Sequence, residues 1–302
     1  MQKKTFYSNG KLLLTGEYLV LDGAKALAIP TKFGQNLIIN EIEAALLKWS
    51  SFDSDGRLWF QNELSFDEIY NKTPSDDAVK NILLEILHEA CLQQPNFFKN
   101  HGFELETHLT FPKNWGLGTS STLINNISQW FEIDAFQLLY NSFGGSGYDI
   151  ACAKSDQPLV FQLQNEVPHY EVVPFYPVFH EQLYFVYLNQ KQNSKTAITN
   201  YITKRHKTNA VLKQIDTITE QSIKCNSSTE FAKLMQKHEY LLSEVLEMET
   251  TQERLFPDFK GIIKSLGAWG GDFVLVISKE NPKDYFAERG FTTFFKYQDM
   301  AK

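Results

Sequence analysis

Pro112-Lys113-Asn114-Trp115-Gly116-Leu117-Gly118-Thr119-Ser120-Ser121-Thr122-Leu123 is the stretch on which the fold turns. Ahead of it, Phe103 to Phe111 sets Phe103, Leu105, Leu109 and Phe111 among Glu104, Glu106 and His108, the period-two pattern of a half-buried strand. Behind it, Leu123, Ile124, Ile127, Trp130 and Phe131 recur at three- and four-residue steps, which predicts a helix. Gly116 and Gly118 let the backbone turn sharply and approach a ligand closely. Thr119, Ser120 and Ser121 fall at the predicted helix start, where backbone N–H groups point outward without helical partners. That arrangement binds anions, phosphate above all. A plain strand–turn–helix has the same local pattern, so the rest of the chain has to decide.

The 302 residues suffice for one large domain or two ordinary ones. With 43% hydrophobic and 22% charged residues the composition is that of a globular chain with a sizeable core, and its 24 phenylalanines read as core packing. A net charge of −7 without a long basic cluster argues against nucleic acid as a main partner. Lys204-Arg205-His206-Lys207, the densest basic run, reads as a solvated helix face or as a phosphate-capturing one. Cys91, Cys152 and Cys225 are scattered, odd in number and lack metal-ligand spacing, which fits a reducing cytoplasm. No signal-peptide core opens the chain and no apolar run reaches membrane-spanning length, so a cytoplasmic protein is expected.

Taken in order, the chain predicts strands at 26–29, bounded by Gly23 and Pro30, and at 35–40 and 45–49. A helix capped by Ser75-Asp76-Asp77 follows from Ala78 to about Cys91, its apolar face Val79, Ile82, Leu83, Ile86 and Leu87. After the focal stretch come a short helix, the cluster Gly144-Gly145-Ser146-Gly147-Tyr148-Asp149, and a strand at 159–163. Pro168, Pro174 and Pro177 then loosen the pattern and place a domain boundary, giving domains 1–170 and 171–302. The second half predicts strands at 182–188, 273–277 and 291–297, and helices at 195–201, 209–223, 228–246, 259–264 and 282–289. Mixed strands and helices in two unequal halves make an α+β protein.

Four segments in this order resemble the GHMP kinases, the superfamily of galactokinase, homoserine kinase, mevalonate kinase and phosphomevalonate kinase. Gly10-Lys11-Leu12-Leu13-Leu14-Thr15-Gly16-Glu17-Tyr18 resembles the N-terminal signature, in its phosphomevalonate kinase form. Pro112 to Ser121 resembles the phosphate loop of proline, spacer and Gly-Leu-Gly-Ser-Ser. Gly145-Ser146-Gly147-Tyr148-Asp149-Ile150-Ala151 resembles the segment with the catalytic aspartate, and Lys264 to Asp272 the C-terminal glycine motif. Each alone is a weak signal; the ordered set spans nearly the whole chain.

The resemblance implies a two-domain GHMP kinase fold, with an N-terminal domain like domain 2 of ribosomal protein S5 and a ferredoxin-like C-terminal domain. It implies an ATP- and Mg²⁺-dependent transfer of the γ-phosphoryl group to a small-molecule substrate, phosphomevalonate first and mevalonate next, by a monomer or homodimer with no nucleic acid or membrane partner. Phosphoryl transfer asks a protein mainly for positioning and charge stabilisation. Asp149 is then the group that accepts or steers the proton of the substrate hydroxyl, with Lys11 beside it. Pro112, Trp115, Gly116, Leu117, Gly118, Thr119, Ser120 and Ser121, with Gly267, Gly270 and Gly271, are the expected ATP contacts, and Ser120 the Mg²⁺ contact. Glu17, Tyr18, Gly147, Ser194, Lys195 and Thr196 are the expected substrate contacts, with Lys191 and Lys204-Arg205 as further anion binders.

Three departures stand beside the matches. Only about two dozen residues separate Ser121 from Gly145, fewer than the family's usual helical stretch. Where mevalonate kinases carry a second magnesium-contacting glutamate, this chain has Leu138, an absence shared with the phosphomevalonate kinase pattern. Trp269 interrupts the third glycine run. A catalytically degenerate GHMP-fold ligand-binding protein and a diphosphomevalonate decarboxylase are the alternative readings. Trp115 reads as a lid over the adenine or as an ordinary exposed aromatic, Trp269 as packing, and Glu17 also as a brace of its turn.

Overall fold

The computed structural model describes residues 3–98, 101–190, 198–199, 201–203, 209–269 and 271–302. The chain forms two compact units: Met1–Gly10 with Phe33–Lys113 and Leu117–Lys154, and Lys11–Lys32 with Asn114–Gly116 and Ser155–Lys302. Strands β1 (Lys4–Leu13) and β2 (Ala26–Ile42) run through both memberships.

In the first unit, β3 (Leu46–Phe52) lies between β4 (Leu58–Ser65), antiparallel to it, and β5 (Gly102–Leu109), parallel to it. The far half of β2 pairs antiparallel with β5, Gln35 opposite Leu109 and Ile42 opposite Gly102. Alternation does here what the sequence pattern requires: Leu105, Thr107 and Leu109 of β5 are buried and Glu104 is exposed. Two helices lie between β4 and β5, α1 (Phe66–Asn71) and α2 (Ala78–Gln93), and three follow β5: α3 (Thr119–Phe131), α4 (Ala135–Ser142) and α5 (Tyr148–Lys154). Sheet residues Leu37, Ile39, Leu47, Trp49 and Leu105 share one core with Leu83 and Leu87 of α2, Ile124, Ile127, Trp130 and Phe131 of α3, and Leu138 of α4.

Asp77 caps α2 as expected, its carboxylate accepting from the Val79 and Lys80 amides. The apolar face differs: Val79 and Ile82 are exposed, and the buried stripe is Leu83, Leu84, Leu87, Ala90 and Cys91 with Ile86. The first turns of the helix lie at the surface, and its later turns carry the burial. The strand expected at 26–29 continues through Pro30 as far as Ile42, so Pro30 does not end it.

In the second unit, Ala26–Ala28 of β2 pair antiparallel with β6 (Leu159–Gln164), which pairs with β7 (Val167–Val172). Asn165 and Glu166, both at positive φ, form the two-residue hairpin turn. Pro168 therefore belongs to a strand rather than a loosened segment; β7 ends the strand order, the position where a strand tolerates proline.

A separate four-stranded antiparallel sheet has the order β11 (Phe294–Lys296), β8 (Leu183–Tyr187), β10 (Phe273–Ile277), β9 (Ile262–Ser265). Helices α6 (Asn209–Lys224), α7 (Ser228–Leu246) and α8 (Thr251–Leu255) separate β8 from β9, and α9 (Lys283–Ala287) separates β10 from β11. That is the βαββαβ sequence of a ferredoxin-like domain. A last helix, α10 (Tyr297–Met300), shortens the strand expected at 291–297.

The helix expected at 259–264 is instead the edge strand β9, with Ile263 opposite Val276 and Ile262 opposite Ile277. Two consecutive β-branched residues beside Gly261 favour the strand, and a neighbour with a fully buried face supplies the pairing. Tyr184, Val186, Val274, Val276, Ile263, Phe256 and Phe286 form the core of this sheet. Among the described residues no helix is long and apolar enough to cross a membrane.

Candidate functional site

Helix α3 begins at Gly118, which takes the left-handed conformation at φ 98° and offers no side chain to cap the first turn. The four amides of a first turn lack helical partners, so this helix start keeps a partial positive charge and outward N–H donors. Two of its hydroxyls are spent inward. Ser121 Oγ donates to the Gly118 carbonyl at 2.9 Å, and Thr122 Oγ1 donates to Gln35 Oε1 at 2.9 Å. Thr119 and Ser120 are half-buried in the first turn. Leu117 is fully buried, and Pro112 half-buried. Asn126 fixes α3 from below, donating to the Gln35 carbonyl at 2.9 Å and accepting from Ser8 Oγ at 2.7 Å.

Asp149 lies in the first turn of α5, half-buried, and its Oδ1 accepts from the Ile150 amide at 3.1 Å. Gly147, two residues earlier, is at φ 95°, and a Cβ there would meet the Phe136 ring at 3.0 Å and the Tyr140 hydroxyl at 3.1 Å. Only glycine fits this turn beneath α4. Tyr140 donates to the Ser146 carbonyl at 2.9 Å, and burial, then the Asp149 charge, pushes its phenol up.

In the second unit, Lys11 Nζ donates to the Gly116 carbonyl at 2.9 Å, which places a cation on the backbone of the glycine loop. Gly116 is at φ 68°, and a Cβ would fall 2.2 Å from Asp272 Oδ2. The glycine is needed for close approach of a carboxylate. Asp272 is buried at φ 52°, its amide donating to the Gln190 carbonyl at 2.7 Å and its carbonyl accepting from Leu188 at 2.8 Å. Trp115 is half-buried, edge-on to Phe273 at 5.6 Å and to Phe295 at 5.3 Å, so the reading as an ordinary exposed aromatic gives way. Tyr187 adds a hydrogen bond of 3.0 Å to the Asn114 carbonyl.

Gly16 is at φ 86°, and a Cβ there would meet Ala26 Cβ at 2.8 Å. The two residues after it are not open to a ligand: Glu17 is 2% exposed and Tyr18 8%. Glu17 Oε1 lies 2.5 Å from Lys264 Nζ, and its Oε2 lies 3.4 Å from His238 Nε2. The Gly16 amide donates to His238 Nε2 at 2.8 Å, so that nitrogen carries no proton and the neutral ring holds its proton on Nδ1. Burial, then the Lys264 charge, keeps the imidazole well below its usual range, and burial raises the Glu17 carboxyl despite Lys264. Tyr18 Oη accepts from the Trp269 amide at 2.8 Å, and its phenol is pushed up to about 12, chiefly by burial.

Gly267 is at φ 71° and Gly271 is buried. Gly270, Ser194, Lys195 and Thr196 lie outside the described residues, as do Lys191, Lys204 and Arg205. Leu138 is fully buried in the core of the first unit, where an unpaired carboxylate would be costly. Sequence reasoning missed His238 and Glu239. Their signal was present: Phe231, Met235, His238, Leu242 and Leu246 fall at four- and three-residue steps on α7, so a histidine and the following glutamate stand in a buried stripe.

No family model matches the chain, and no curated protein matches it. Solved structures do. The Methanococcus jannaschii mevalonate kinase is similar at a TM-score of 0.70 and 17% identity, covering 97% of this chain and 97% of its own. The Lactococcus lactis galactokinase complexed with galactose is similar at 0.73 and 14%, covering 100% of this chain and 93% of its own. The Streptococcus pneumoniae phosphomevalonate kinase in complex with phosphomevalonate and AMPPNP is similar at 0.72 and 15%, covering 96% and 99%. The chain therefore has the two-domain GHMP kinase fold that its four motifs imply.

Proposed function

We propose that the protein is an ATP- and Mg²⁺-dependent small-molecule kinase whose acceptor is phosphomevalonate, with mevalonate next. The observation that carries this reading is the helix start at Gly118: a Gly-Leu-Gly turn, no capping side chain, and Thr119 and Ser120 left at the open first turn. In a chain of this fold, such a start is the natural cradle for the phosphates of ATP. The acceptor follows from the N-terminal signature and from the similarity to a phosphomevalonate kinase described with phosphomevalonate and AMPPNP.

The donor set is compatible with Mg²⁺. Among the described residues no three His, Cys, Asp or Glu side chains form a metal cage. Magnesium needs none, keeping waters and phosphate oxygens and taking one or two protein oxygens, for which the Ser120 hydroxyl is available. Bound there, the ion would neutralise charge on the transferring phosphoryl group. The first-turn amides of α3 orient the phosphates, Lys11 adds positive charge at the Gly116 backbone, and Asp149 accepts or steers the proton of the acceptor oxygen.

An ATP-consumption assay of the purified protein against phosphomevalonate, mevalonate, homoserine and galactose tests the reading. Phosphomevalonate should give the highest turnover, and Asp149→Asn should reduce it by about a hundredfold or more while ATP binding persists. ATP binding without turnover on any acceptor would leave a ligand-binding protein of this fold.

A further inference from the structure

The second unit buries four ionisable side chains almost completely: Glu17, His238, Glu239 and Lys264. Their bonds follow a pattern. His238 and Glu239 are neighbours on α7, and each holds a different glycine segment. His238 accepts the Gly16 amide at 2.8 Å. Glu239 accepts the Ser265 amide at 3.1 Å and the Ser265 hydroxyl at 2.9 Å, at the entry to the glycine segment 266–272. Lys264 then joins the two, donating to Glu17 at 2.5 Å and to the Ser265 carbonyl at 2.8 Å. A further tie runs from the Trp269 amide to Tyr18 at 2.8 Å.

We propose that Glu17, His238, Glu239 and Lys264 are positioning residues that hold residues 265–269 to the turn carrying Gly16, setting the geometry with which this glycine segment meets ATP. The inference rests on the nucleotide reading above. It also changes the part given to Glu17, from a substrate contact to a strut. Well-packed apolar residues usually stabilise an interior as well as a buried ion pair does, so stability alone does not account for this cluster. Its geometry is specific: His238 Nε2, the Glu239 carboxylate and Lys264 Nζ each end on one of the two glycine segments or their flanks, while Glu17 Oε2 and His238 Nδ1 are buried with no hydrogen-bond partner among the described residues. The charge balance agrees. Glu17 and Glu239 face one ammonium, Lys264, while His238 stays neutral, and burial pushes the Glu239 carboxyl up to about 7. Near neutral pH the cluster exchanges a proton at the residue that grips Ser265.

The test uses the full chain. Lys264→Met alone leaves Glu17 without its counter-charge, so the informative variant is Glu17→Met with Lys264→Met, which removes both charges and keeps volume. With circular dichroism unchanged, amide hydrogen exchange over 265–269 should quicken by about tenfold and ATP·Mg²⁺ should bind about tenfold more weakly by calorimetry. Exchange at the wild-type rate in the folded double variant overturns the proposal. Glu239→Gln keeps size and removes titration. The wild-type segment should change its intrinsic-rate-corrected exchange between about pH 6 and pH 8, and the variant should not. An identical pH profile in both overturns the proposal even where the double variant fails to fold. If the wild type binds no ATP yet exchange quickens in the double variant, the nucleotide reading fails and the positioning role stands.

Discussion

The two units both have apolar cores and differ in what else they bury. In the first, Phe97, Phe98, Phe103, Trp130 and Phe131 interlock, Phe97 stacked on Phe131 at 3.9 Å and edge-on to Trp130 at 5.1 Å, over the aliphatic residues of β2, β3, β5 and α2. In the second, an ion pair, a neutral histidine and a glutamate whose carboxyl burial pushes up occupy ground that apolar side chains could fill. The first interior depends on shape and each residue contributes roughly by the volume it fills. The ionisable cluster of the second depends on partners, so the effect of removing one of its residues is set by what it leaves behind.

That contrast can be broken by substitution. Lys264→Met should be the most damaging, costing about 3–5 kcal/mol in chemical denaturation because Glu17 stays buried without its counter-charge. Adding Glu17→Met should return most of the loss; no recovery would mean that the cluster behaves as a packed core. Leu138→Ala, in the first unit, should cost about 2–5 kcal/mol as transfer and cavity energy, with no second substitution of charge able to restore it. The smallest effect is one of pH. In the folded protein the Glu239 carboxyl titrates near 7, above its ordinary value of 4.5, so the folded state binds more protons in that window. Its contribution is therefore greatest at low pH and falls as pH rises from about 4.5 through about 7. Glu239→Gln should flatten that slope in Tm, and an unaltered slope would place the titration elsewhere.

The same contrast explains what was legible in the sequence. Periodicity located α3, α7 and β5 and most of the strands, because each buries a regular stripe that shows in the order of residues. It failed at 259–264, where a four-residue edge strand is decided by its pairing with β10, and at Val79 and Ile82, where the exposed turns of α2 carry apolar residues. The glycines of the candidate site were legible as residue types, although only some of their reasons are local: Gly116 faces Asp272, far along the chain. Gly118 takes a left-handed cap and Gly147 leaves no room for a Cβ. The partners of Glu17 were not: His238 and Lys264 stand more than two hundred residues away, and only the fold brings them to it. Ser194, Lys195 and Thr196, whose part was inferred from resemblance, remain proposed substrate contacts.

Phosphorus NMR of the wild-type protein with ATP, Mg²⁺ and phosphomevalonate shows whether the helix start at Gly118 serves phosphoryl transfer from ATP. A new pair of diphosphate doublets should grow in step with ADP. Unchanged ATP and phosphomevalonate signals in the presence of folded protein would contradict it.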